Sequence, residues 1–218
     1  MEDDGRWVTI NGAHVFVKDG QSPMDAFIRS KGKEDDYARY DKNKGEFEKL
    51  FNKDSGTART EFYKKLGLDG KPKIVSESEF NNIVDEKNPI MQRSTSDKGY
   101  NDLVSGEYRV SDATNSMYGT GIYFAYGEED KAYYAGLANT QKVFEARMDK
   151  SAKMIDSRDL DKIKDDIRNK LGGNREKIDS IILADNGVLA GMLGYDGVYF
   201  DNVKYGLILN RGKLIIKE

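Results

Sequence analysis

Apolar positions alternate near the N-terminus, where Trp7-Val-Thr-Ile10 and Ala13-His-Val-Phe-Val17 flank Asn11-Gly12. Asn-Gly between alternating runs is the two-residue turn that matches strand twist, so residues 6–17 are predicted as a β-hairpin, with His14 a structural residue of its second strand. Ser22-Pro23, with Asp25 in the first turn, predicts a short helix carrying Met24, Ala26, Phe27 and Ile28 and ending at Gly32. Lys31 to Gly45 is charged and poor in aliphatics; it reads as a linker in which Tyr37 and Tyr40 are candidates for docking. Helical character returns over 46–66 through Phe47, Leu50, Phe51, Phe62 and Leu66. Asp54-Ser-Gly56 marks a break, with Thr57 a candidate cap for the restart, and residues 67–72 form a turn.

From Pro72 the pattern becomes mixed. Ser76-Glu-Ser-Glu79 is a capping box ahead of Phe80, Ile83 and Val84. Pro89 to Thr95 reads as a short strand entering a polar loop, 121–126 as a strand, 128–138 as a helix and 141–148 as a further strand. Leu160, Ile163, Ile167 and Leu171 recur at helical spacing after Ser157, and Gly172-Gly173 ends that helix. Residues 178–193 fit either an apolar run or a helix. Gly194-Tyr-Asp-Gly197 is a turn, and strands are expected at 198–200, 205–209 and 214–216. No repeat or low-complexity tract interrupts this order.

Composition narrows the chemistry more than the fold. The 218 residues hold no cysteine and a single histidine, which removes disulfides, thiolate nucleophiles, and His- or Cys-based metal sites. Thirty-five Lys and Arg against 38 Asp and Glu leave a net charge of -3, which gives no electrostatic argument for nucleic acid or an anionic membrane. No apolar run reaches bilayer length, and Met1-Glu-Asp-Asp does not read as a signal peptide; a reducing cytoplasm fits. Chemistry must come from carboxylates, Arg, Tyr, Ser and backbone groups.

The stretch that concentrates such groups is Tyr118-Gly-Thr-Gly-Ile-Tyr-Phe-Ala125, followed by Lys131-Ala-Tyr-Tyr-Ala135. Glycines beside a β-branched and aromatic run let backbone approach a flat ligand, and Tyr118, Tyr123, Tyr133 and Tyr134 supply aromatic faces. Each tyrosine taken singly reads as half-buried core; the adjoining glycines point the set towards a pocket.

Three segments together, Gln92-Arg93-Ser94-Thr95, Gly119 to Ala125 with Ala132-Tyr-Tyr134 behind it, and Gly194-Tyr-Asp-Gly-Val198 leading to Tyr205-Gly-Leu-Ile-Leu-Asn-Arg211, resemble the mono-ADP-ribosyltransferases. They look most like members carried by phages and other mobile elements, and the resemblance covers about two thirds of the chain. The middle motif is its most specific part. Trp7 to Val15, with Asp19-Gly-Gln-Ser22, resembles a segment at the ends of phage head-morphogenesis proteins.

The resemblance implies an α+β fold over 72–218, with split, mostly antiparallel sheets and peripheral helices around an NAD cleft, and a hairpin and helical appendage over 1–71. It implies transfer of ADP-ribose from NAD, without a metal, to a protein or nucleic-acid acceptor in a bacterial host cytoplasm, with association with a phage head or virion as a further expectation. Arg93 inherits the NAD contact, Ser94 and Thr95 its support, and Gly119, Thr120 and Gly121 the close backbone. Tyr123 inherits the strand wall, and Tyr134 or Tyr133 the nicotinamide stack. The family's carboxylate slot falls on Tyr205 or Gly206, which carry none. Asp201 is therefore taken as the acid, with Glu128 and Glu129 as alternatives. Two other functions stay open: a non-catalytic interaction module on a degenerate version of this fold, and an NAD glycohydrolase.

Overall fold

The computed structural model describes residues 5–10, 13–18, 20, 23–83, 88–108, 110, 118–127, 129, 136 and 141–218. The hairpin forms as expected: β1 (Gly5–Ile10) pairs antiparallel with β2 (Ala13–Lys18) around the two-residue 11–12 connection. The following helix does not stop at Gly32. α1 runs from Pro23 to Lys53, and the charged stretch read as a linker is its middle. Glycines inside a helix cost about 1 kcal/mol each relative to alanine, but full burial of a Phe-sized side chain contributes about 1.5–3 kcal/mol. Tyr40 and Phe47 are both fully buried, so tertiary burial outweighs Gly32 and Gly45. Polar contacts complete the docking, with Arg39 and Asn43 donating to the carbonyls of Leu193 and Met192.

α1 ends where the sequence placed the break. Asp54 organises it, accepting from the Gly56 amide and the Thr57 hydroxyl, whereas Thr57 makes no cap bond of its own to α2 (Ala58–Lys65). The capping box at Ser76 is present, opening α3 (Glu77–Asn81) after a strand that the pattern did not signal, β3 (Lys73–Val75). β4 (Met91–Thr95) is followed by a helix where a polar loop was expected: α4 (Asp97–Ser105), capped by Ser96 and ended by Gly106 at φ 85°. β5 (Ile122–Ala125), β6 (Lys142–Met148), β7 (Met154–Asp156) and α5 (Ser157–Leu171) come next. The ambiguous 178–193 stretch is two helices, α6 (Lys177–Ala184) and α7 (Asn186–Met192), meeting at Asp185. β8 (Gly197–Phe200), β9 (Tyr205–Ile208) and β10 (Leu214–Lys217) close the chain.

Eight strands form one mixed sheet in the order β3-β10-β6-β4-β5-β9-β8-β7. The pairings are antiparallel except at the two edges, where β3 lies parallel to β10 and β7 parallel to β8. The sheet is thus continuous, not two antiparallel sheets, but it is nearly divided. β4 and β5 meet at one register pair, Gln92 opposite Ala125.

Period-two alternation sorts the β5–β9 pair onto two faces. Leu207, Val198 and Phe200 face a cluster built with α1, α2, α5, α6 and α7, which holds Tyr40, Phe47, Phe62, Tyr63, Leu160, Ile182 and Leu189. Ile122, Phe124 and Ile208 face a second cluster with Met91, Leu103, Phe144, Met148 and Leu214. Among the described residues no helix is long and apolar enough to cross a membrane.

Candidate functional site

The near-division of the sheet creates the site. β4 runs beside β6 over five register pairs but beside β5 over one, so the strands part from Arg93 onwards. Strand carbonyls that lose their ladder partner must find another. Arg93 reaches across and supplies one, donating from Nη1 to the Tyr123 carbonyl at 2.7 Å and from Nη2 to the Tyr108 hydroxyl at 3.1 Å. The guanidinium carbon lies 5.8 Å from the Tyr108 ring centre and 5.9 Å from that of Phe124. Among the described residues no acidic side chain pairs with Arg93. A guanidinium carries five N–H donors, and two are engaged by described residues. The result is a half-buried cation beside a gap in the β4–β5 ladder, with donors that no described residue takes, a natural contact for phosphate or carboxylate.

Tyr108 was not singled out from the sequence. After the turn at Gly106 its amide donates to the Asp102 carbonyl at 2.8 Å. Arg211 holds it from the other side, with Nη1 donating to the Tyr108 carbonyl and Nη2 to that of Asp69, each at 2.7 Å. Arg211 is 5% exposed, and burial pulls its pKa below the usual guanidinium value. Two cavities meet at Glu107 and Tyr108. One, of about 600 Å³, extends to Lys98 and Asp102; the other, of about 440 Å³, lies between α2 and Arg211.

The glycine motif at the start of β5 makes its close approach to protein. Gly119, at φ 111°, stands so near α7 that a Cβ would lie 2.7 Å from the Gly187 nitrogen. Thr120 is fully buried; its amide donates to Asp185 Oδ1 at 2.7 Å and its hydroxyl to Oδ2 at 2.6 Å. Asp185 also caps α7, accepting from the amides of Gly187 and Val188, and it pairs with Arg59 Nε at 2.9 Å. Tyr63 donates to the Thr120 carbonyl at 2.6 Å. A Cβ on Gly121 would fall 2.5 Å from Leu207 Cδ1.

The aromatic wall is divided by the sheet. Tyr123 donates to the Gly119 carbonyl at 2.5 Å, and its ring lies 6.4 Å from Tyr118, which in turn lies 4.7 Å from Phe200. Tyr118 and Tyr123 pack against the helix-covered cluster, whereas Tyr108 packs with Phe124 against the other. Arg93 therefore meets the carbonyl of Tyr123 while the Tyr123 ring lies on the opposite face. Ser94, which alternates away from Arg93, donates to Gln141 Oε1; Thr95 ends β4 opposite Lys142. Tyr133, Tyr134 and Glu128 lie outside the described residues, as does most of the helix expected over 128–138, and Glu129 is exposed.

Asp201 lies in the turn between β8 and β9, accepting from Lys204 Nζ at 2.9 Å and from the Tyr126 hydroxyl at 3.3 Å. The Lys204 ammonium, helped by Tyr126, holds its pKa below the usual carboxylate range. Tyr126 follows Tyr123 by three residues, about 10 Å along a strand. Asp201 is thus placed past the end of β5, whereas Gly119 and Thr120 precede its start. Tyr205 and Gly206 lie opposite Ala125 and Phe124. Gly206 shares the face of Phe124, and a Cβ there would stand 3.0 Å from Met91 Sδ, so a methionine borders the position where the resemblance implies a carboxylate.

No family model, curated protein or solved structure matches this chain. The site is therefore read from its own geometry and from the resemblance of its motifs.

Proposed function

We propose that the opening between β4 and β5 binds NAD and that the chain transfers ADP-ribose from it to a macromolecule. The observation that carries this reading is Arg93, a half-buried guanidinium whose two bonds go to a carbonyl and a phenol, leaving its charge without an acidic partner among the described residues. Supporting the reading are a planar cation suited to the pyrophosphate and the half-buried Tyr108 ring beside it, with the fully buried Phe124 ring behind. In the reaction the bond between ribose C1′ and the nicotinamide nitrogen breaks, and its electron pair leaves with nicotinamide. An oxygen or nitrogen of the acceptor then bonds to C1′ and releases its proton. Negative charge near the developing cation lowers the barrier, and we assign that role to Asp201.

A second reading is binding of NAD, or of a protein partner, without transfer. It is favoured by the engagement of Asp201 with Lys204 and Tyr126 in an exposed turn. Titration calorimetry with NAD, run beside an assay for released nicotinamide and for label transferred to a lysate, separates the two. Transfer predicts binding, nicotinamide release and labelling; Arg93→Met should weaken binding by tenfold or more, about the loss of one hydrogen bond to a charged group. Binding without release selects the second reading. Absence of NAD binding rejects both forms of NAD site.

A further inference from the structure

We propose that Tyr108 and Arg211 aim Arg93 into the opening of the sheet, Tyr108 through its hydroxyl and Arg211 by fixing the Tyr108 backbone. The inference rests on the reading of this opening as the NAD site and adds two positioning residues to it. Both Arg211 Nη atoms are committed to carbonyls and the side chain is 5% exposed, so Arg211 has no free edge to offer a ligand. What it holds is a point of main chain. Tyr108 is pinned on both sides, by its amide to Asp102 and by its carbonyl from Arg211, which fixes where its hydroxyl stands.

Arg93 then has two acceptors set by rigid backbone, the Tyr123 carbonyl and the Tyr108 hydroxyl. A planar fork held at two points has one orientation, and no described residue takes its remaining donors. The choice of acceptors matters. A carboxylate in the place of the Tyr108 hydroxyl would hold Arg93 as firmly but would neutralise it. A phenol and a carbonyl orient the cation and leave its charge for an anion.

The test follows the Arg93 side-chain N–H groups by NMR in arginine-labelled protein, with NAD affinity measured in parallel. In Tyr108→Phe, which keeps the ring and the Arg211 contact, exchange of the Arg93 Nη hydrogens should quicken and NAD affinity should fall, each about tenfold, with little change in melting temperature. Arg211→Lys should do the same through the displaced Tyr108. Unchanged Arg93 exchange in Tyr108→Phe overturns the proposal, and it does so whether or not Arg211→Lys folds. Quickened exchange in a protein that binds no NAD keeps the positioning role and rejects the NAD reading alone.

Discussion

The start of β5 and its flank towards β4 are held in opposite ways. At the start, one buried carboxylate, Asp185, accepts five hydrogen bonds from three elements: Thr120 by amide and hydroxyl, the amides of Gly187 and Val188, and Arg59. Along the flank, β4 and β5 share one ladder pair and the Arg93 bond, beside the apolar packing of Met91 with Ile122 and Phe124. The first arrangement is overdetermined; in the second, a half-buried cation has no acidic partner among the described residues. Sites that bind need both, a rigid support and a neighbouring place where the protein has not used up its own polar groups. The glycine motif serves the support: Gly119 and Gly121 let the strand lie against α7 and Leu207.

Removing the anchor should therefore have the largest effect. Asp185→Ala leaves the buried Thr120 amide and hydroxyl without their acceptor and removes the Arg59 ion pair. Breaking a buried pair from one side costs about 3–5 kcal/mol. Urea denaturation should show that loss, and proteolysis should reach the 118–121 segment in the variant first. A loss below about 1 kcal/mol, the value of an ordinary hydrogen bond, would mean that the anchor is no stiffer than the open flank.

A second buried carboxylate tests whether the same logic holds α1 in place. Asp179 is fully buried and accepts from the Tyr40 hydroxyl at 2.5 Å, from Lys44 Nζ at 3.0 Å and from the Glu176 amide at 2.7 Å. Burial pushes its pKa up, but Tyr40, Lys44 and the Glu176 amide outweigh burial and hold it below the usual range. A depressed carboxylate pKa gives stability that is present above the unfolded-state value and lost as pH falls through the folded one. Tyr40→Phe should thus cost about 1–3 kcal/mol at neutral pH and raise the midpoint of acid unfolding. The gap between variant and wild type should narrow as acid protonates Asp179. Circular dichroism across pH 2–7 measures it; a gap that stays constant with pH would assign the effect of Tyr40 to packing alone.

These anchors also explain what was legible in the sequence. The hairpin, the capping box at Ser76, the helix after Ser157 and most strands follow from local chemistry, and they form as expected. Between Lys31 and Gly45 the local pattern reads as a linker, because the helix there is stabilised by Tyr40, Lys44 and Phe47 docking on residues far along the chain. α4 did carry a signal, Ser96 before the helix and Gly106 after it, but its middle is too polar to stand out. Arg93 is a candidate through its motif. Tyr108, Arg211 and Asp185 act through contacts with partners 15 to 142 residues away, and no spacing rule encodes these. Asp185 alone left a trace, as an acid in the Asp-Asn-Gly break between two apolar runs, the position of a helix cap.

The smallest effect on stability should come from Asp201→Asn, and it bears most directly on turnover. Asp201 and Lys204 form an exposed pair, each side chain 51% accessible, in the β8–β9 turn. Exposed pairs are screened by water and salt, so the melting temperature should not shift measurably. NAD affinity should also hold, because Arg93 bonds the Tyr123 carbonyl while Asp201 reaches only Tyr126, three residues further along. If Asp201 supplies the negative charge assigned to it, nicotinamide release should fall about a hundredfold in the variant, the scale on which one electrostatic group acts in a transition state. Release at the wild-type rate would take Asp201 out of the reaction and pass the role to Glu128 or Glu129. It would also sharpen the contrast along β5, since the β8–β9 turn would then be structural, while Arg93 kept the binding.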